Sequence, residues 1–181
     1  MRHLFGKYFR RLKGDEAGNA SVEFVIIVPT FIMLMTMSIE LGFVTIRHTM
    51  LERGLDIAVR QIRLGTGEPS TYEEIKEVIC DNAPILANCE TELRLEMQPV
   101  DLRAYSSLDA KPKCIENSQP VEPAVLKKEF VFGGVNELMV LRACFLYDPI
   151  FPDEMMGRAL QKDDYGKTAI VTMSAFVQEP S

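Results

Sequence analysis

Tryptophan is absent from this chain, and histidine occurs only twice, as His3 and His48. His3 lies in a basic N-terminal stretch, and His48 has beside it only Thr45 and Thr49, ordinary helix residues, so a Ser-His-Asp or Cys-His device lacks its nucleophile. Neither G-x-x-x-x-G-K-[ST] nor G-x-G-x-x-G occurs, which removes the loops that cradle phosphates; Gly65-Thr66-Gly67 reads as a turn. The cysteines contain no C-x₂-C pair, against zinc, and Asp163-Asp164 lacks the surrounding pattern of a calcium loop. Anions outnumber cations after the first 47 residues: positions 48–181 carry a net −8, the reverse of a nucleic-acid surface. These absences lead us to expect no enzyme, cofactor, metal, nucleic acid or small-molecule substrate.

What is present is strongly polarised along the chain. Residues 1–18 hold Arg2, Lys7, Arg10, Arg11 and Lys13 against Asp15 and Glu16, a net +3. Phe24 to Ile46 is then a run of 23 residues with one ionisable group, Glu40. As a helix it would be roughly 34 Å long, enough to cross a hydrocarbon core of about 30 Å. Pro29 falls near its start, where a missing N–H is easiest to tolerate. Cations ahead of the span place the N-terminus in the cytoplasm and everything after Arg47 outside the inner membrane. The run is longer than a signal-peptide core and is followed by no small-x-small site.

Glu23 at the mouth of the run is the costliest residue in this region, because an ionised carboxylate resists leaving water. Glu40, 17 residues further on, is expected at the outer interface as a solvated carboxylate. Helical spacing continues past the span through Met50, Leu51, Leu55, Ala58 and Ile62, ending at Gly65 and Gly67. One helix over about 21–64 is expected, half in lipid and half packed on a domain. Gly54 inside it costs about 1 kcal/mol relative to Ala and allows a local bend.

Ser70, with Glu73 three residues later, is expected to cap a second helix that ends at Asp81-Asn82-Ala83-Pro84. Residues 91–97 alternate polar and apolar, a half-buried strand stopped by Pro99. Residues 105–124 read as an unusually long loop. The near-continuous apolar run from Glu137 to Tyr147 suits a central strand buried on both faces. Residues 148–157 form a Pro-rich excursion, and 168–177 a last strand. The cysteines Cys80, Cys89, Cys114 and Cys144 all fall in the exported part, where an even count reads as two disulfides. Three pairings are possible; Cys80–Cys89 with Cys114–Cys144 is favoured. The fold class is α+β: a long N-terminal transmembrane helix packed on a small antiparallel sheet. The chain divides into a basic leader (1–18), a long helix (19–64, membrane span about 24–46) and an extracytoplasmic α+β domain (65–181).

Gly18-x₄-Glu23-Phe24, the apolar run with Pro29, and Ile39-Glu40-Leu41-Gly42 resemble the TadE-like pseudopilins. These are minor pilin-like components of tight-adherence (Tad/Flp) pilus machines. Leu141-Arg142-Ala143-Cys144-Phe145 before Pro149, and the ending Phe176-Val177-Gln178-Glu179-Pro180, are similar to the family's C-terminal segments. Asn19 is polar where common type IV pilins have Phe, Phe24 stands where major Flp pilins have Tyr, and Gln178 replaces Asn. The resemblance implies a pilin-like fold and cleavage between Gly18 and Asn19 by a prepilin peptidase. It also implies an assembly role for Glu23 with its neighbour Phe24, and partners among other pilins, pseudopilins and the inner-membrane pilus platform, with the lipid bilayer as surroundings. The competing expectation is a bitopic anchor of another envelope secretion machine, left unprocessed.

Overall fold

The computed structural model describes residues 19–64, 71–101, 103, 130–134, 136–153, 155–160, 162 and 166–178. The leader, Gly18, Ser70, the expected loop 105–124 with Cys114, and Glu179-Pro180 lie outside these residues. Helix α1 runs unbroken over Asn19–Leu64, 46 residues including Pro29. The chain forms two compact units, residues 1–39 and 40–181, so the second begins within α1 at Glu40.

In the second unit, α1 is followed by α2 (Tyr72–Asp81), a single turn α3 (Cys89–Glu92), β1 (Leu93–Pro99), β2 (Leu138–Tyr147), a short α4 (Met155–Ala159) and β3 (Thr168–Val177). The strands form an antiparallel sheet in the order β1-β2-β3, with Leu95 opposite Ala143 and Ala143 opposite Thr172. Helix packed on a three-stranded antiparallel sheet is the α+β class read from the sequence. The two-residue period puts Leu93, Leu95 and Met97 on one face together with Met139, Leu141, Ala143 and Phe145, all buried. Leu51, Leu55, Ala58, Val59 and Ile62 present the apolar stripe of α1 to the same core, and Ile75 and Ile79 that of α2.

Two local expectations are corrected. The cap of α2 is Thr71, not Ser70: its Oγ1 accepts from Glu74 N while the Glu74 carboxylate accepts from Thr71 N, a full capping box shifted by one residue. The Pro-rich excursion contains the helical turn of α4, and Cys89–Glu92 forms another turn directly before β1.

Gly54 has a packing role that its helix alone does not reveal. A Cβ at this position would lie 2.7 Å from the carbonyl oxygen of Ile79, so the glycine is where α2 approaches α1. In an exposed helix Gly→Ala stabilises by about 1 kcal/mol. Here the added methyl meets backbone, and overpacking of this kind costs about 1–3 kcal/mol. Gly54→Ala is therefore expected to lower the thermal midpoint; an increase would show that the two helices part freely.

Cys80, on α2, and Cys89, on α3, are bonded, with Cα atoms 5.6 Å apart. Cys144 is also disulfide-bonded. On the second face of the sheet, Glu96 and Arg142 are direct cross-strand partners; Nη1 stands 3.3 Å from Oε2 and both residues are buried.

Candidate membrane helix and assembly residues

The described residues of the first unit, 19–39, are all in α1. Val22, Phe24, Val25, Ile26 and Phe31 are all at least 60% exposed, and apolar side chains face every direction of the helix rather than one stripe. A helix with no polar face dissolves in lipid, not on a protein core. Its hydroxyls agree with that surrounding. Thr30, Ser38, Thr45 and Thr49 each donate to the carbonyl four residues back, and Thr36 to that of Met33, so these hydroxyls bond within the helix and need no water. By length and composition α1 can cross a membrane.

Glu23 and Phe24 project from this helix, exposed. No described residue forms an ion pair with Glu23. Asn19 begins α1 and lies four positions before Glu23, so the two share a helix face. Cys80 and Cys89 belong to the second unit.

The placement of Glu40 departs from the solvated carboxylate expected at the interface. It is 1% exposed, and its Oε2 accepts a hydrogen bond from Phe151 N at 3.0 Å. The loop following β2 returns to α1 and supplies that donor. Around this contact, the Arg47 guanidinium lies over the Tyr147 ring at 4.6 Å and near that of Phe43 at 5.7 Å. Sequence spacing gave no signal for this cluster, because Glu40 and Phe151 are 111 residues apart.

Glu40 Oε1, Arg47 Nη1 and Tyr147 Oη are buried without a hydrogen-bond partner. Burial pushes the Tyr147 hydroxyl above its ordinary range; the Arg47 cation opposes the shift and Glu40 adds to it. Tyr147→Phe deletes a buried hydroxyl that makes no bond, and is expected to raise stability by up to about 1 kcal/mol at neutral pH. The folded protein keeps the Tyr147 proton where the unfolded chain begins to release it. Wild-type stability therefore falls as pH rises above about 10, and the Phe variant loses this share of the fall. Thermal melts between neutral and alkaline pH check both signs.

Elsewhere the chemistry is sparse. His48 Nδ1 is 3.4 Å from Glu52 one turn on, an exposed helix pair. A cleft of about 420 Å³ at the far end of the domain is lined by Asp56, Arg60, Arg63, Ser174 and Phe176, with no histidine. Among the described residues no group of three or more His, Cys, Asp or Glu could hold a metal ion.

An apolar helix long enough for a single membrane crossing, continuing as the packing helix of a small α+β domain, fits a single-pass membrane protein. Residues 18–60 match the family model described as TadE-like protein, which starts at Gly18 and runs through Glu23, Glu40 and Gly54. The match implies involvement in Tad pilus systems and partners among their proteins. No curated protein and no solved structure matches the chain.

Proposed function

We propose that this protein is a minor pseudopilin that assists assembly of a Tad/Flp adhesive pilus, without catalytic activity of its own. The observation that carries the reading is the coincidence of the TadE-like match at 18–60 with a helix exposing apolar side chains on all sides. The protein is made with a basic cytoplasmic leader and sits in the inner membrane with its sheet domain in the periplasm. A prepilin peptidase cuts between Gly18 and Asn19. The cut frees an α-amine on Asn19, whose reference pKa is about 7.7–8.0, so it is cationic at neutral pH. In a bundle of such helices this amine meets the Glu23 carboxylate of a neighbour. Each charge alone in lipid is far costlier than the pair, so the pairing sets the axial register between subunits. The domain contacts other pilins or the platform outside.

Mass spectrometry of the membrane-derived protein tests this directly. The expected N-terminus is Asn19 when a prepilin peptidase is present and Met1 when it is absent. A functional protein that keeps residues 1–18 in both cases fits an unprocessed envelope anchor instead and overturns the proposal.

A further inference from the structure

The sheet domain has a rim that faces the same level of α1 as its last lipid-compatible residues. The rim is the loop 148–153 with the first turn of α4. It is tied to α1 where Phe151 N donates to Glu40. Above that tie, along the helix, Leu41 and Ile46 are still 53% and 44% exposed, on sides turned away from the buried Glu40 and Leu51. Glu40 to Ile46 covers roughly 9 Å of helix axis. The rim therefore starts below the top of the apolar run, not above it.

Its own surface matches that level. Ile150 and Met155 are 42% and 58% exposed, although the core lies close by. The backbone that carries them is held in place. A Cβ on Gly157 would come 2.2 Å from the Phe151 carbonyl oxygen, so α4 packs directly against the loop. Lys162 Nζ donates to the Pro152 carbonyl at 3.3 Å. Asp148 and Asp153 are both exposed, two residues before and three residues after Ile150. Acids this close to exposed apolar side chains suit the boundary between headgroups and acyl chains, and exclude greater depth.

We infer that this rim docks into the outer leaflet of the bilayer, with Ile150 and Met155 at the headgroup–acyl boundary, so that the domain rests on lipid rather than standing clear of it. The occupant is lipid because Phe151, next to Ile150, is tied to α1 at Glu40, inside the apolar run that ends at Ile46. The inference rests on the reading that α1 spans the membrane.

The absence of tryptophan makes the test clean, since each engineered tryptophan is the sole one. The full-length chain is reconstituted in phosphatidylcholine vesicles, with and without lipids brominated just below the headgroup. Four variants are compared: Ile150→Trp and Met155→Trp at the rim, Phe31→Trp in the helix, and Val177→Trp at the opposite end of the sheet, roughly 30 Å along the strands. The expected result is blue-shifted emission that loses most of its intensity to brominated lipid for Ile150→Trp, Met155→Trp and Phe31→Trp, with Val177→Trp unaffected. Quenching of Phe31→Trp with neither rim variant quenched overturns the docking inference and leaves the membrane reading intact. If Phe31→Trp is not quenched, the membrane reading fails and the inference falls with it. Quenching of Val177→Trp to the same extent as the rim shows non-specific adsorption of the domain and also overturns it.

Discussion

Glu23→Gln is expected to leave cleavage, membrane insertion and the sheet domain intact while incorporation into the pilus assembly falls tenfold or more. Glutamine has nearly the shape of glutamate but no charge, so packing is preserved and the interaction with the freed Asn19 amine is not. Removing one member of a buried ion pair costs about 3–5 kcal/mol when the partner must keep its charge. An α-amine need not keep it. With a reference pKa of about 7.7–8.0, shedding its proton at neutral pH costs only about 1–1.5 kcal/mol. The defect of Glu23→Gln should therefore shrink as the pH rises past about 8, where the amine is neutral without cost.

Blocking the cut at Gly18 is the harsher change. It strands a charged carboxylate in lipid with no neighbouring α-amine to pair with. Co-purification of the variant with pilus proteins, at two pH values, reads the effect. Wild-type levels of Glu23→Gln in the assembly would mean that Glu23 sits hydrated at the headgroups and sets no register.

Arg142→Ala is expected to cost the domain about 3–5 kcal/mol, the range for breaking a buried ion pair. Both Arg142 and Glu96 are less than one-tenth exposed and face each other across β1 and β2, with Nη1 3.3 Å from Oε2. Truncating the arginine withdraws this cation from a carboxylate that water barely reaches, and empties volume on the second face of the central strand. For a domain of this size the loss corresponds to a fall in thermal midpoint on the order of 10 °C. Circular dichroism melts of the full chain in detergent measure it. A shift of only a degree or two would show that solvent enters between the strands and screens the pair as it does on a surface.

The parts of the molecule that were legible in the sequence are those whose cause is local. Phe24 to Ile46 reads as a membrane helix because hydropathy and length suffice. The apolar run over 137–147 reads as a central strand because both of its faces are greasy, and Met139, Leu141 and Phe145 on one face and Cys144 and Leu146 on the other are buried. The stretch 168–177 is strand β3 residue for residue. The cap of α2 missed by one position because Ser70 and Thr71 are both good caps, each with a glutamate three residues on; only the backbone could choose between them. Gly54 looked like a weak point in a helix, since a close approach by Ile79 cannot be seen from one helix alone.

Chain order and side-chain chemistry by themselves determined the long apolar helix, the carboxylate near its start, the basic segment before it and the acidic one after it, and the α+β class. Each of these follows from transfer free energies and spacing along a few tens of residues. Tertiary structure alone decided that Glu40 is sealed under Phe151 rather than hydrated, that Gly54 is a helix crossing point, and that the loop carrying an exposed Ile150 is tied to α1 at Glu40. Those outcomes depend on which distant segment fills the space next to a residue, and hydropathy, a property of the residue itself, carries no record of its neighbours in space.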